Sequence, residues 1–78
     1  MDEWLSRQAD TLAREAGVPR AQLELSQAEV DALLEVAGHA AHDSGARTNA
    51  PLLCYLLGRL RSGSKGLDEL VEIVRSTS

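Results

Sequence analysis

No phenylalanine occurs in this 78-residue chain, and tryptophan and tyrosine occur once each, as Trp4 and Tyr55. A core must then be built from leucine, valine and alanine, a palette that favours helices over sheets. There is one cysteine, Cys54, which excludes an internal disulfide and any CxxC or zinc spacing. In an apolar run such a thiol behaves as a small hydrophobe, and the usage fits a reducing compartment. Proline is confined to Pro19 and Pro51. No apolar run approaches the ~18 residues needed to cross a bilayer. Met1-Asp2-Glu3-Trp4 has neither the basic nor the apolar region of a signal peptide, so the expectation is a cytoplasmic chain that does not enter membranes.

Basic residues are scarce in the first half. Up to Asp43 there are nine acidic and three basic side chains, a net of −6; beyond it three acidic and five basic side chains give +2, for −4 in all. Duplex binding needs a dense basic face, so no nucleic-acid partner is expected. With 44% apolar and 26% charged residues, the composition is that of a folded domain.

Periodicity predicts an all-α fold, a compact four-helix bundle of antiparallel neighbours with short loops, forming one domain over residues 1–78. The first helix is expected over 3–16, capped by Asp2 and stopped by Gly17, with Trp4, Leu5, Ala9, Leu12, Ala13 and Ala16 on one stripe. Residues 17–25 form the longest loop. Ser26-Gln27-Ala28-Glu29 is a capping box opening a second helix over 27–43, with Leu25 and Val30 at the staple positions. Its core stripe is expected at Val30, Leu33, Leu34, Ala37 and Ala41. Ala37, Gly38 and Ala41 make a thin face that admits a neighbour or leaves a groove.

Gly45 ends that helix. A third is expected over 50–62, capped by Thr48 or Asn49, with Pro51 in its first turn. Leu52, Leu53, Leu56, Leu57 and Leu60, extended by Cys54 and Tyr55, make it apolar nearly all round, which belongs at the centre of a bundle or at a subunit interface. A flexible break at 62–66 precedes a fourth helix over 67–75, with Leu67, Leu70, Val71 and Val74 inward and Asp68 and Glu69 in the first turn.

The polar candidates gather around the junction of helices two and three. Glu35, His39 and His42 fall within about 60° on a helical wheel and are the candidate metal ligands. Helical metal motifs usually draw on a second element, and a Glu35–His39 pair at i, i+4 explains the same spacing. Arg47, Arg59, Arg61 and Lys65 suggest an anion site, or complement the dipole where helix three ends. Asp43-Ser44 in a small acidic helical chain is similar to the phosphopantetheine site of acyl carrier proteins. Here, however, Ser44 ends a helix and Gly45 follows it, where carriers start an acidic helix with a bulky apolar neighbour. His42, Asp43 and Ser44 are adjacent in sequence, which does not suit a catalytic triad.

Asp2-Glu3-Trp4-Leu5, Leu33-Leu34-Glu35-Val36-Ala37, Ala41-His42, Arg47, Ala50-Pro51-Leu52 and Tyr55-Leu56-x-Gly58 together resemble a small actinobacterial helical domain family of unknown function. Its members occur alone or attached to MobA-like molybdenum-cofactor guanylyltransferases. The resemblance covers most of the chain, with a His42-to-Pro51 loop about one residue longer than the family pattern. It implies an accessory role near molybdenum-cofactor maturation, with His42, Arg47 and Pro51 as distinctive positions and no catalytic residues or cofactor. The expectation is a non-catalytic module that binds a protein partner, such as a cofactor-biosynthesis enzyme, or pairs as a homodimer. Ala37, Gly38 and Ala41 with Trp4 and Tyr55 form the candidate contact surface. The alternative is a small-molecule, anion or metal-binding domain using His39, His42 and Arg47.

Overall fold

The computed structural model describes residues 1–60 and 66–77. Among these residues the chain is all-α: four α-helices and one turn of 3-10 helix, without strands. It divides into two compact units, Met1–Val30 and Asp31–Ser78.

In the first unit, α1 spans Glu3–Ala16. Asp2 accepts from the Leu5 amide at 2.8 Å, and Gly17 closes the helix with φ +71°, its amide and that of Val18 returning to the last-turn carbonyls. That ending needs a left-handed residue, which glycine adopts without a Cβ penalty. The buried side is centred on Ala9 and Ala13, while Trp4, Leu5 and Leu12 stay exposed. The expected stripe is therefore corrected towards its small residues. The segment read as loop contains a 3-10 turn, Arg20–Leu23, which packs on α1. Pro19 starts it at φ −60°. Arg20 holds it by donating to Asp10 at 2.6 Å and Glu24 at 3.3 Å.

The helix α2, Gln27–Ser44, opens in the first unit and continues into the second. Its capping box forms as the sequence dictates: the Ser26 amide donates to Glu29 Oε1 at 2.8 Å, and the Glu29 amide donates to Ser26 Oγ at 3.1 Å. At the other end Gly45 takes φ +72°. Ser44 Oγ donates to the Ala40 carbonyl at 2.6 Å and accepts from the Ala46 amide at 3.2 Å.

In the second unit, α3 spans Asn49–Leu60 and α4 spans Leu67–Thr77. Turn bonds from the Asn49 amide to Ala46 and from the Ala50 amide to Arg47 lead into α3. Asn49 is thus its first helical residue rather than its cap. Val36 of α2, Leu57 of α3, and Leu67, Leu70 and Val71 of α4 form the buried cluster, with Leu33, Leu53, Cys54 and Val74 packed on it.

The inward face of α4 is the expected one. That of α2 is rotated: Val36 and Ala40 are buried, whereas Leu34 is exposed. Apolar side chains at 30, 32, 33, 34, 36, 37, 40 and 41 wrap most of that helix, so periodicity alone does not select a face. Nor is α3 a central helix: Leu57 alone of its side chains is fully buried. Beyond its chain neighbours and the backbone of its own helix, no described atom lies within 4 Å of where a Cβ on Gly38 would stand, so the thin face has no close neighbour at that point. The expected break at 62–66 and the end of helix three beyond residue 60 fall, apart from Gly66, outside the described residues.

Candidate functional site

The second half of α2, the start of α3 and the last turns of α4 enclose an open groove of about 440 Å³. Leu52, Leu53, Leu56, Ile73 and Val74 supply its apolar walls, and the polar groups at its α2–α3 end are His39, Asp43, Ser44 and Asn49. Two periodicities produce this set. His39 and Asp43 are i, i+4 on α2, and Leu52 and Leu56 are i, i+4 on α3, so each helix presents one row to the groove.

The α3 row continues past the groove. Leu52 is 62% exposed, Leu56 53% and Leu60 58%, and their spacing makes one i, i+4, i+8 ridge. Tyr55 stands beside the ridge at 67% exposure, with the Arg59 guanidinium 5.8 Å from its ring centroid, within the range of a cation–π contact. Arg59 is the only charged side chain of α3. Four large apolar side chains on one helix face, open to water, are a contiguous patch rather than scattered exposure.

The metal candidates are not assembled into a site. No group of three or more His, Cys, Asp or Glu side chains among the described residues stands close enough to hold an ion. Glu35 is engaged by Arg75, reaching over from α4, a contact that connects sequence positions forty apart and that helical spacing does not reveal. His39 borders the groove, whereas His42 is exposed on α2 and does not line it. Of the anion set, Arg47 is exposed in the turn before α3 and Arg59 lies over Tyr55, while Arg61 and Lys65 fall outside the described residues. Arg47 forms no ion pair with Asp43 among the described residues.

Of the contact-surface candidates, Tyr55 and Pro51 are exposed on α3, and Gly38 is exposed on α2 with Ala37 and Ala41 half-buried beside it. Trp4 is exposed on α1, in the first unit. Ile73 lines the groove without having been expected there, while Leu52, Leu56 and Leu60 were expected only as parts of a helix apolar nearly all round. The signal for Ile73 is its place outside the inward set Leu67, Leu70, Val71 and Val74, which leaves a large β-branched side chain for another surface.

Cys54 is half-buried beside the core, and that burial pushes its thiol above the ordinary value. Its reactive thiolate is correspondingly scarce at neutral pH.

No helix among the described residues is long and apolar enough to cross a membrane. No curated protein matches the chain significantly, and no solved structure does. Residues 1–76 match the profile of a family described as Domain of unknown function (DUF6457). The chain belongs to that family.

Proposed function

From that membership, we propose that this DUF6457 chain is a non-catalytic helical module that binds a protein partner through the exposed face of α3. One observation carries the reading: the ridge Leu52–Leu56–Leu60 with Tyr55 beside it, left open to water on a helix whose opposite side packs on the core. Aromatic and aliphatic anchors beside a groove are how interfaces concentrate their affinity. The chemistry at the groove's α2–α3 end is consistent with this, because the Ser44 hydroxyl is committed to the backbone of its own helix. Pro51 heads the face. Trp4, the Ala37–Gly38–Ala41 surface, His42 and Arg47 are secondary candidates for contact.

The setting we propose is cytoplasmic and close to molybdenum-cofactor maturation, a proposal that rests on the family resemblance drawn from the sequence. Affinity purification of the tagged chain from its native host, beside a Leu56→Asp variant, tests it. Recovery of a cofactor-assembly enzyme with the wild type and its loss with the variant is expected. If no such enzyme appears, that setting is discarded; if one appears equally with both, the α3 face is discarded.

A second reading has its own support, since about 440 Å³ lies in the range of small-molecule pockets and His39, Asp43 and Ser44 stand at its end. Titration of the labelled chain with zinc, nickel, molybdate and nucleotides under NMR distinguishes the two. Micromolar saturation with shifts confined to the groove favours a ligand site; spectra that do not change favour the protein partner.

A further inference from the structure

We propose that the α3 face is covered by a second copy of this chain, the two α3 helices pairing antiparallel about a two-fold axis at Leu56. The proposal rests on the reading of α3 as an interaction face and names its occupant.

The first argument is what the second unit lacks. Among the described residues its buried cluster is Val36, Leu57, Leu67, Leu70 and Val71, and only Val36 is less than 2% exposed. A unit this small is usually reinforced by a disulfide, a metal or oligomerisation. A disulfide within the chain is excluded by the single cysteine, and no metal-holding cluster occurs among the described residues. Oligomerisation is the route for which the surface is already present.

The second argument is the self-complementarity of the ridge. Leu52, Leu56 and Leu60 are evenly spaced, with Leu52 and Leu60 about 12 Å apart at 1.5 Å per residue. A two-fold axis through the midpoint places Leu52 of one copy against Leu60 of the other and Leu56 against itself, as an isologous contact requires. Ridges of i, i+4 side chains are the commonest packing surface between helices.

The third argument is charge. Arg59 is the only charged group on α3, and among the described residues it has no carboxylate partner. Asp43 is exposed where Leu52 enters the groove, also with no ion pair among the described residues. Antiparallel pairing carries Arg59 of each copy to the Leu52 end of the other, beside Asp43, and opposes the two helix dipoles favourably. A parallel pair would instead align the dipoles and bring Arg59 against Arg59. Complementary charges of this kind fix register and direction more than they supply affinity.

Sedimentation equilibrium from micromolar to millimolar chain should show a monomer–dimer equilibrium. Leu56→Asp should weaken it by about a hundredfold or more, with an unchanged helical spectrum because Leu56 is over half exposed. Arg59→Glu and Asp43→Arg should each weaken pairing roughly fivefold, and the double variant should recover most of that loss. Direction is read by cross-linking in a Cys54→Ser background. Leu56→Cys should couple to itself, and Leu52→Cys should couple to Leu60→Cys in a mixed sample rather than to itself.

A wild type that stays monomeric at millimolar concentration overturns the proposal. So does a dimer indifferent to Leu56→Asp, or self-coupling of Leu52→Cys. If the chain is monomeric but Leu56→Asp abolishes binding of a purified heterologous protein, self-pairing fails while the interaction face stands. If that variant binds as well as the wild type, both readings fail.

Discussion

Gly38 and Gly45 lie on the same stretch of chain, yet adding a methyl group to each should have opposite effects. At Gly38 the backbone is helical and a Cβ meets nothing within 4 Å, so Gly38→Ala removes only the helix penalty of glycine. It should stabilise the chain by about 0.5–1 kcal/mol. At Gly45 φ is +72°, and Gly45→Ala should destabilise it by roughly 1 kcal/mol. Urea denaturation of the two variants checks both signs. The Ser26–Glu29 box was legible because its mechanism is local, each group reaching a backbone amide three residues away. Ser26→Ala should cost about 1 kcal/mol by the same assay. Cys54 carries a pH signature. Its folded thiol is raised by burial, so the neutral form is the one the fold favours. That contribution is complete below the unfolded thiol's value and is lost as pH rises through the folded one. Stability should therefore fall more steeply in alkali for the wild type than for Cys54→Ala, and alkylation near pH 8 should lag behind that of a free thiol.

Among the helices, α4 and α3 show what periodicity can and cannot say. The inward face of α4 was legible because acidic residues at 68, 69 and 72 occupy the remaining sector and leave Leu67, Leu70, Val71 and Val74 a single side to share. On α3 no acidic residue marks an outside. Leucine at 52, 53, 56, 57 and 60 suggested a helix at the centre of a bundle or at a subunit interface, and only the packing separates Leu57, facing the core, from Leu52, Leu56 and Leu60, facing water. The same ambiguity rotated the expected face of α2 from Leu34 to Val36. The groove depended on both faces, so its membership could not be read in advance, although His39 and its position at the α2–α3 junction could. Leu57→Ala should cost roughly 2–4 kcal/mol through the cavity it leaves. Leu52→Ala, at a largely exposed position, should change the stability of the monomer by less than about 0.5 kcal/mol. Denaturation at low micromolar concentration, where pairing does not contribute, separates the two.

For the whole molecule, net charge was legible from composition, whereas the partner was not, because recognition depends on which apolar side chains remain uncovered after folding. Chain length also matters at this scale. Stability in a molecule this small is about 4–12 kcal/mol if it follows the usual per-residue range, and it becomes concentration-dependent once two copies associate. The melting temperature of the wild type should therefore rise with chain concentration, and that of Leu56→Asp should not. Isotope-filtered NMR on a mixture of labelled and unlabelled chains reads the contact itself. Cross-peaks between Leu52 methyls of one copy and Leu60 methyls of the other are the expected result. A filtered spectrum empty of α3 contacts at millimolar concentration would contradict the account.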